Sequence, residues 1–74
     1  MLYTIVDKFT AENAGFRPSD HLVFDGKMVL NENELSTKGS DISDIANRMG
    51  GVLLTRDEAV ETIKRSINNK QENK

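Results

Sequence analysis

Three places in the sequence carry residue types capable of chemistry. Ser19-Asp20-His21 has the side chains of a hydrolase triad. Triad members converge from separate elements, so that the base reaches the nucleophile and the acid reaches the base. Three consecutive side chains diverge, and the segment reads as a polar turn. His21 is the sole histidine and the chain has no cysteine, which argues against a histidine- or thiolate-based metal site within one chain. Lys38-Gly39-Ser40 precedes an expected helix start, where backbone N–H groups can hold an anion. It lacks the spacing of a P-loop and reads as a cap. The third place is a set of aspartates: Asp25 at the end of an apolar strand, Asp41 and Asp44 at a helix start, and Asp57 two residues after Thr55. Carboxylates gathered at strand ends hold Mg²⁺ in metal-assisted phosphodiester hydrolysis.

The stretch from Asp41 to Asp57 (DISDIANRMGGVLLTRD) resembles the last helix–strand–acid unit of PIN-domain ribonucleases. Leu22 to Lys27 (LVFDGK) is similar to an acid-bearing strand of flap-nuclease relatives. The resemblance implies a Mg²⁺-dependent nuclease fragment with Asp25, Asp41 or Asp44, and Asp57 as ligands. Those folds need a parallel sheet of several strands joined by crossover helices, which 74 residues cannot hold. The plainer reading is that these acids serve helix N-termini, where negative charge is favoured.

A second resemblance is to the helix-turn-helix. Asp44-Ile45-Ala46-Asn47-Arg48-Met49-Gly50 is similar to its first helix and turn, with Ala46 inward and Gly50 at the turn. It implies a DNA-binding regulator. The second helix should follow the glycine within two or three residues, whereas Gly51 to Leu54 intervene. The expected recognition helix also opens with Asp57 and Glu58, at the end that normally enters the groove.

The elements behind these residues are more definite. Thr55 and Glu58 have capping-box spacing. They open a helix whose apolar positions Ala59, Val60, Ile63 and Ile67 form one stripe. A shorter helix, capped by Ser40 or Asp41, places Ile42, Ile45, Ala46 and Met49 on one face and stops at Gly50. Gly51 adds freedom, and Val52 to Thr55 reads as a short strand. Asp25-Gly26 is a favoured two-residue hairpin loop. It sets Phe24 opposite Lys27, Val23 opposite Met28, and Leu22 opposite Val29. Both faces of that hairpin are apolar and both need cover. Leu2 to Phe9 has strand composition. Thr10 to Gly15 reads as a helical turn capped by Thr10, and Asn31 to Gly39 as a loop or single turn anchored by Leu35. The tail at 71–74 is expected to fray.

The chain is one domain of 74 residues with net charge −2. Its mild acidity argues against broad electrostatic binding of nucleic acid. No stretch approaches the ~18 apolar residues of a membrane span, and the chain reads as soluble and cytoplasmic. A core this small is marginal, so self-association is expected to be within its reach. The expected fold is α+β: a small antiparallel sheet, built from the N-terminal strand and the hairpin, packed against two C-terminal helices. The function expected is that of a non-catalytic module that occupies a surface of a larger protein. Small regulatory or inhibitory proteins of phage and other mobile elements act in this manner. DNA binding and the nuclease fragment are the alternatives, and no cofactor, metal or membrane is assigned. Tyr3, Phe16, Arg17 and Phe24 are the expected contact residues, because aromatics and arginine dominate interface energies.

Overall fold

The structure is a computed structural model that describes residues 1–72, with side chains described through Asn68. Strand β1 (Leu2–Asp7) is followed by helix α1 (Lys8–Asn13) and a 3-10 turn at Pro18–Asp20. The hairpin β2 (Leu22–Phe24) and β3 (Lys27–Asn31) runs directly into helix α2 (Glu32–Ser36). Helix α3 (Ile42–Arg48), strand β4 (Leu54–Thr55) and helix α4 (Arg56–Glu72) complete the chain. The sheet order is β2-β3-β1-β4 and every neighbour is antiparallel. The protein is therefore a small α+β domain. Of the tail expected to fray, 71 and 72 are the last residues of α4, and 73 and 74 lie outside the described residues.

The hairpin takes the register its turn dictates: Leu22 opposite Val29, Val23 opposite Met28 and Phe24 opposite Lys27. Asp25 and Gly26 both have positive φ, 49° and 73°, as a turn matching the right-handed strand twist requires. β1 pairs along the other side of β3, from Tyr3 opposite Asn31 to Asp7 opposite Lys27. Alternation then sorts the side chains. Thr4, Val6, Val23, Met28 and Leu30 share one face; Tyr3, Ile5, Leu22, Phe24, Val29 and Leu54 share the other.

The first face carries the main core. Val6, Met28 and Leu30 pack there with Ala11 of α1, Phe16, Leu35 of α2 and Met49 after α3. The second face is covered by α4, which packs on β1 and β4. Its inward line is Ala59, 4% exposed, with half-buried Ile63 and Ser66. Ser66 donates to Asp25 Oδ2 at 3.0 Å, which ties α4 to the hairpin turn. The two C-terminal helices thus lie on opposite faces of the sheet, one answer to a hairpin that is apolar on both sides.

Caps decide where the helices start. Thr55 and Glu58 form the expected reciprocal pair: Thr55 N–H donates to Glu58 Oε1 at 2.9 Å, and Glu58 N–H donates to Thr55 Oγ1 at 3.2 Å. Asp41 caps α3 through the Asp44 N–H. Asp7, rather than Thr10, caps α1 by accepting from the Phe9 and Thr10 N–H groups. β1 consequently ends at Asp7, and the helix cap lies three residues before the Thr10 expected of it. α2 is a helix with a full capping box: Glu34 N–H donates to Asn31 Oδ1 and Asn31 N–H donates to Glu34 Oε1, both at 2.8 Å.

Candidate interaction surface

A concavity opens at the free edge of β1. β4 pairs with β1 only at Leu2 and Tyr3, while β1 continues to Asp7 with β3 as its partner on the other side. The cavity there has a volume of about 480 Å³. Ile5, Val6, Met49, Val52 and Leu54 give it apolar walls, Gly50 and Gly51 line it with backbone, and Asp7, Lys27 and Thr62 supply polar groups. It opens between the two helical layers, because Val6 and Met49 belong to the main core and Thr62 belongs to α4.

Local sequence explains why the edge stays open. α3 stops at Gly50, which has φ +80°, and the Gly51 N–H returns to the Ala46 carbonyl at 2.9 Å. The chain then passes close under Thr4 and Val6 at Gly51, where a side chain would collide with both. Only at Leu54 has it crossed to the sheet plane, so the strand expected over Val52 to Thr55 is two residues long. Val52 is left 61% exposed at the cavity wall. Phe9, two residues beyond Asp7, is 70% exposed. Its ring has the Lys8 ammonium 5.6 Å from its centroid.

The expected contact residues fall elsewhere. Phe16 is 5% exposed and belongs to the main core, so its ring offers no surface to a partner. The His21 ring packs edge-on against it at 5.7 Å, and the Lys38 ammonium lies 5.3 Å from its centroid. Arg17 is exposed and extended ahead of Pro18, as a residue before proline should be. Tyr3 and Phe24 are both half-buried on the sheet face under α4. The structure does not bring the four together on one surface.

The chemistry-bearing residues also disperse. Asp25 sits in the hairpin turn, Asp41 caps α3 with Asp44 one turn in, and Asp57 lies in the first turn of α4. Asp44 pairs with Arg48 at 2.8 Å. Among the described residues no three His, Asp or Glu side chains are grouped to hold a metal ion. Asp20 lies in a turn and His21 is buried against Glu34, whose Oε2 its Nδ1 contacts. Lys38 reaches to Phe16 rather than to the start of α3. α3 and α4 are separated by β4 and lie on opposite faces of the sheet, which is not the arrangement of a helix-turn-helix. No helix among the described residues is long and apolar enough to cross a membrane.

Strand composition over Leu2 to Phe9 hides the exposure of Phe9; the local signal for it is Asp7, an N-cap residue two positions earlier that starts α1. Comparison of the chain with protein families, with curated proteins and with solved structures returned no match.

Proposed function

We propose that the protein is a small non-catalytic binding module that occupies a surface of a larger protein, and that it does so by accepting an extended segment at the free edge of β1. The observation that carries this reading is the early end of β4. The ladder on that side of β1 stops at Tyr3, and the next part of the edge borders an apolar cavity. An added strand aligned with β4 gains main-chain hydrogen bonds from the sheet and specificity from alternate side chains. Here those side chains would alternate between Val6 and Met49 on one side and Ile5, Leu54 and Thr62 on the other. Val52 supplies exposed apolar area at the cavity wall, and Phe9, two residues along the chain from Asp7, is a further exposed apolar side chain of the kind that anchors an interface.

The test is a selection from displayed random peptides, followed by NMR mapping of the selected sequence. The expected result is a set of extended, apolar-alternating peptides that shift the amides of Ile5, Asp7, Gly50 and Thr62. Phe9→Ser and Val52→Asp should each weaken binding about tenfold or more, in line with loss of an interface anchor. Peptides whose shifts map elsewhere, or which bind both variants as well as the parent, sink the reading.

A further inference from the structure

Hydrogen-bond parity along β1 limits what its open edge can accept. In an antiparallel pair, opposed residues alternate between those that exchange two main-chain bonds and those that exchange none. Phe24 and Lys27 close the two-residue turn, so Lys27 directs its N–H and C=O to β2. Met28 and Leu30 therefore direct theirs to β1, where they oppose Val6 and Thr4. The turn agrees: the Lys8 N–H donates to the Gly26 carbonyl at 2.9 Å, the same parity two residues beyond Val6. Tyr3, Ile5 and Asp7 must then point the other way. Tyr3 meets Leu54 of β4, while β4 does not extend to Ile5 or Asp7. Asp7 is the N-cap of α1, so its carbonyl accepts the first bond of that helix. The open edge thus offers three main-chain groups: the Ile5 N–H, the Ile5 C=O and the Asp7 N–H. Its length is bounded as well. Towards Tyr3 the line is taken by β4, which begins at Leu54. At the far end α1 begins at Lys8. Three positions remain, opposite Ile5, Val6 and Asp7.

We infer that the edge takes a three-residue stretch of extended peptide, antiparallel to β1, in which a single backbone N–H is required, that of the residue opposite Ile5. This rests on the strand-addition reading above and narrows its ligand to one backbone pattern. Antiparallel pairing is the stronger geometry and the one every strand of this sheet uses. The peptide's first residue then opposes Asp7, its second Val6 and its third Ile5. The third residue exchanges two bonds with Ile5. The first accepts from the Asp7 N–H, and its own N–H finds no acceptor, because the Asp7 carbonyl belongs to α1. The second directs both its groups to solvent. Proline has no N–H and suits edge positions that face water, so it is admitted at the first and second residues and excluded at the third. The second side chain turns to the core face, where Met49 meets it and Gly50 and Gly51 line the wall without side chains. The third turns to Ile5, Leu54 and Thr62. The ligand class is a short peptide segment with two adjacent apolar residues, the second of them not proline.

The test takes a display-selected peptide, capped at both ends, and methylates its backbone nitrogens one at a time before titration against the full chain. Methylation at the residue opposite Ile5 should weaken binding about tenfold or more, since it removes one main-chain bond and blocks its neighbour. Methylation at the two preceding residues should change binding by less than about threefold, because neither N–H meets a protein acceptor. The protein has no cysteine, so a nitroxide on a cysteine added to the peptide's N-terminus reports direction alone. It should broaden the Lys8 and Lys27 amides more than those of Tyr3 and Leu54. A peptide that shifts Ile5 and Asp7 but is sensitive to methylation at two of the three positions, or at none, overturns the inference and leaves strand addition standing. So does broadening centred on Tyr3 and Leu54. Selected peptides that leave Ile5 and Asp7 unshifted overturn both.

Discussion

Gly51 lies so close beneath Thr4 that a Cβ at position 51 would fall inside contact distance of the Thr4 hydroxyl and 2.6 Å from Val6 Cγ1. Thr4 is fully buried, and its Oγ1 has no hydrogen-bond partner. The two residues hold the α3–β4 connection against the sheet, and that connection fixes how far β4 can extend along β1. Gly51→Ala forces a methyl group into a filled space, which costs about 1–3 kcal/mol. Urea denaturation should show a lower midpoint at unchanged slope. Combined with Thr4→Ala the loss should be less than the sum of the single losses, because one of the two clashing atoms has gone.

Thr4 itself stands against its setting. A buried hydroxyl without a partner keeps its desolvation cost and gains nothing in return. Thr4→Val keeps the shape and the β-branch and removes the polar atom. It should raise stability by about 1 kcal/mol, seen as an upward shift of the unfolding midpoint. A fall in stability would mean that the hydroxyl is satisfied in solution.

The hairpin, the two capped C-terminal helices and the α+β class were legible because each depends on residues close in sequence. Asp25-Gly26 sets the register by itself, and Thr55 and Glu58 satisfy one another across three residues. What was not legible depends on contacts between distant residues. Gly51 reads in sequence as a flexible joint after a helix stop, whereas its role is steric and is set by Thr4, 47 positions earlier. The inward stripe of α4 takes in half-buried Ser66, which donates to Asp25, and leaves Val60 and Ile67 exposed. The candidate surface was missed for the same reason: an open strand edge is defined by where β4 ends, and no local pattern records that.

Glu34 serves two partners. Its Oε1 accepts from the Asn31 N–H in the α2 cap, and its Oε2 contacts His21 Nδ1. Glu34→Ala removes both, and leaves a His21 side chain that is 8% exposed without its carboxylate. The expected loss is about 1–2 kcal/mol, the range for a cap. Glu34→Gln can still accept from Asn31 and should recover a substantial part of it. Equal losses in the two variants would place the whole effect on charge rather than on capping.

Two phenylalanines that look alike in sequence separate cleanly in structure. Phe16 is 5% exposed within the main core, and Phe9 is 70% exposed at the start of α1. Removing the buried ring leaves a cavity beside Ala11, Met28 and Leu35, so Phe16→Ala should cost about 3–5 kcal/mol. For a domain of this size that is a large part of the total stability, and the variant should be extensively unfolded at ambient temperature. Phe9→Ser should change stability by no more than about 0.5 kcal/mol, as substitutions away from packed sites do. The pair is read by circular dichroism melts recorded side by side. A Phe9 variant that melts like the parent leaves its ring free for an external partner; one that melts well below the parent shows the ring serving the fold, and removes it from the proposed surface.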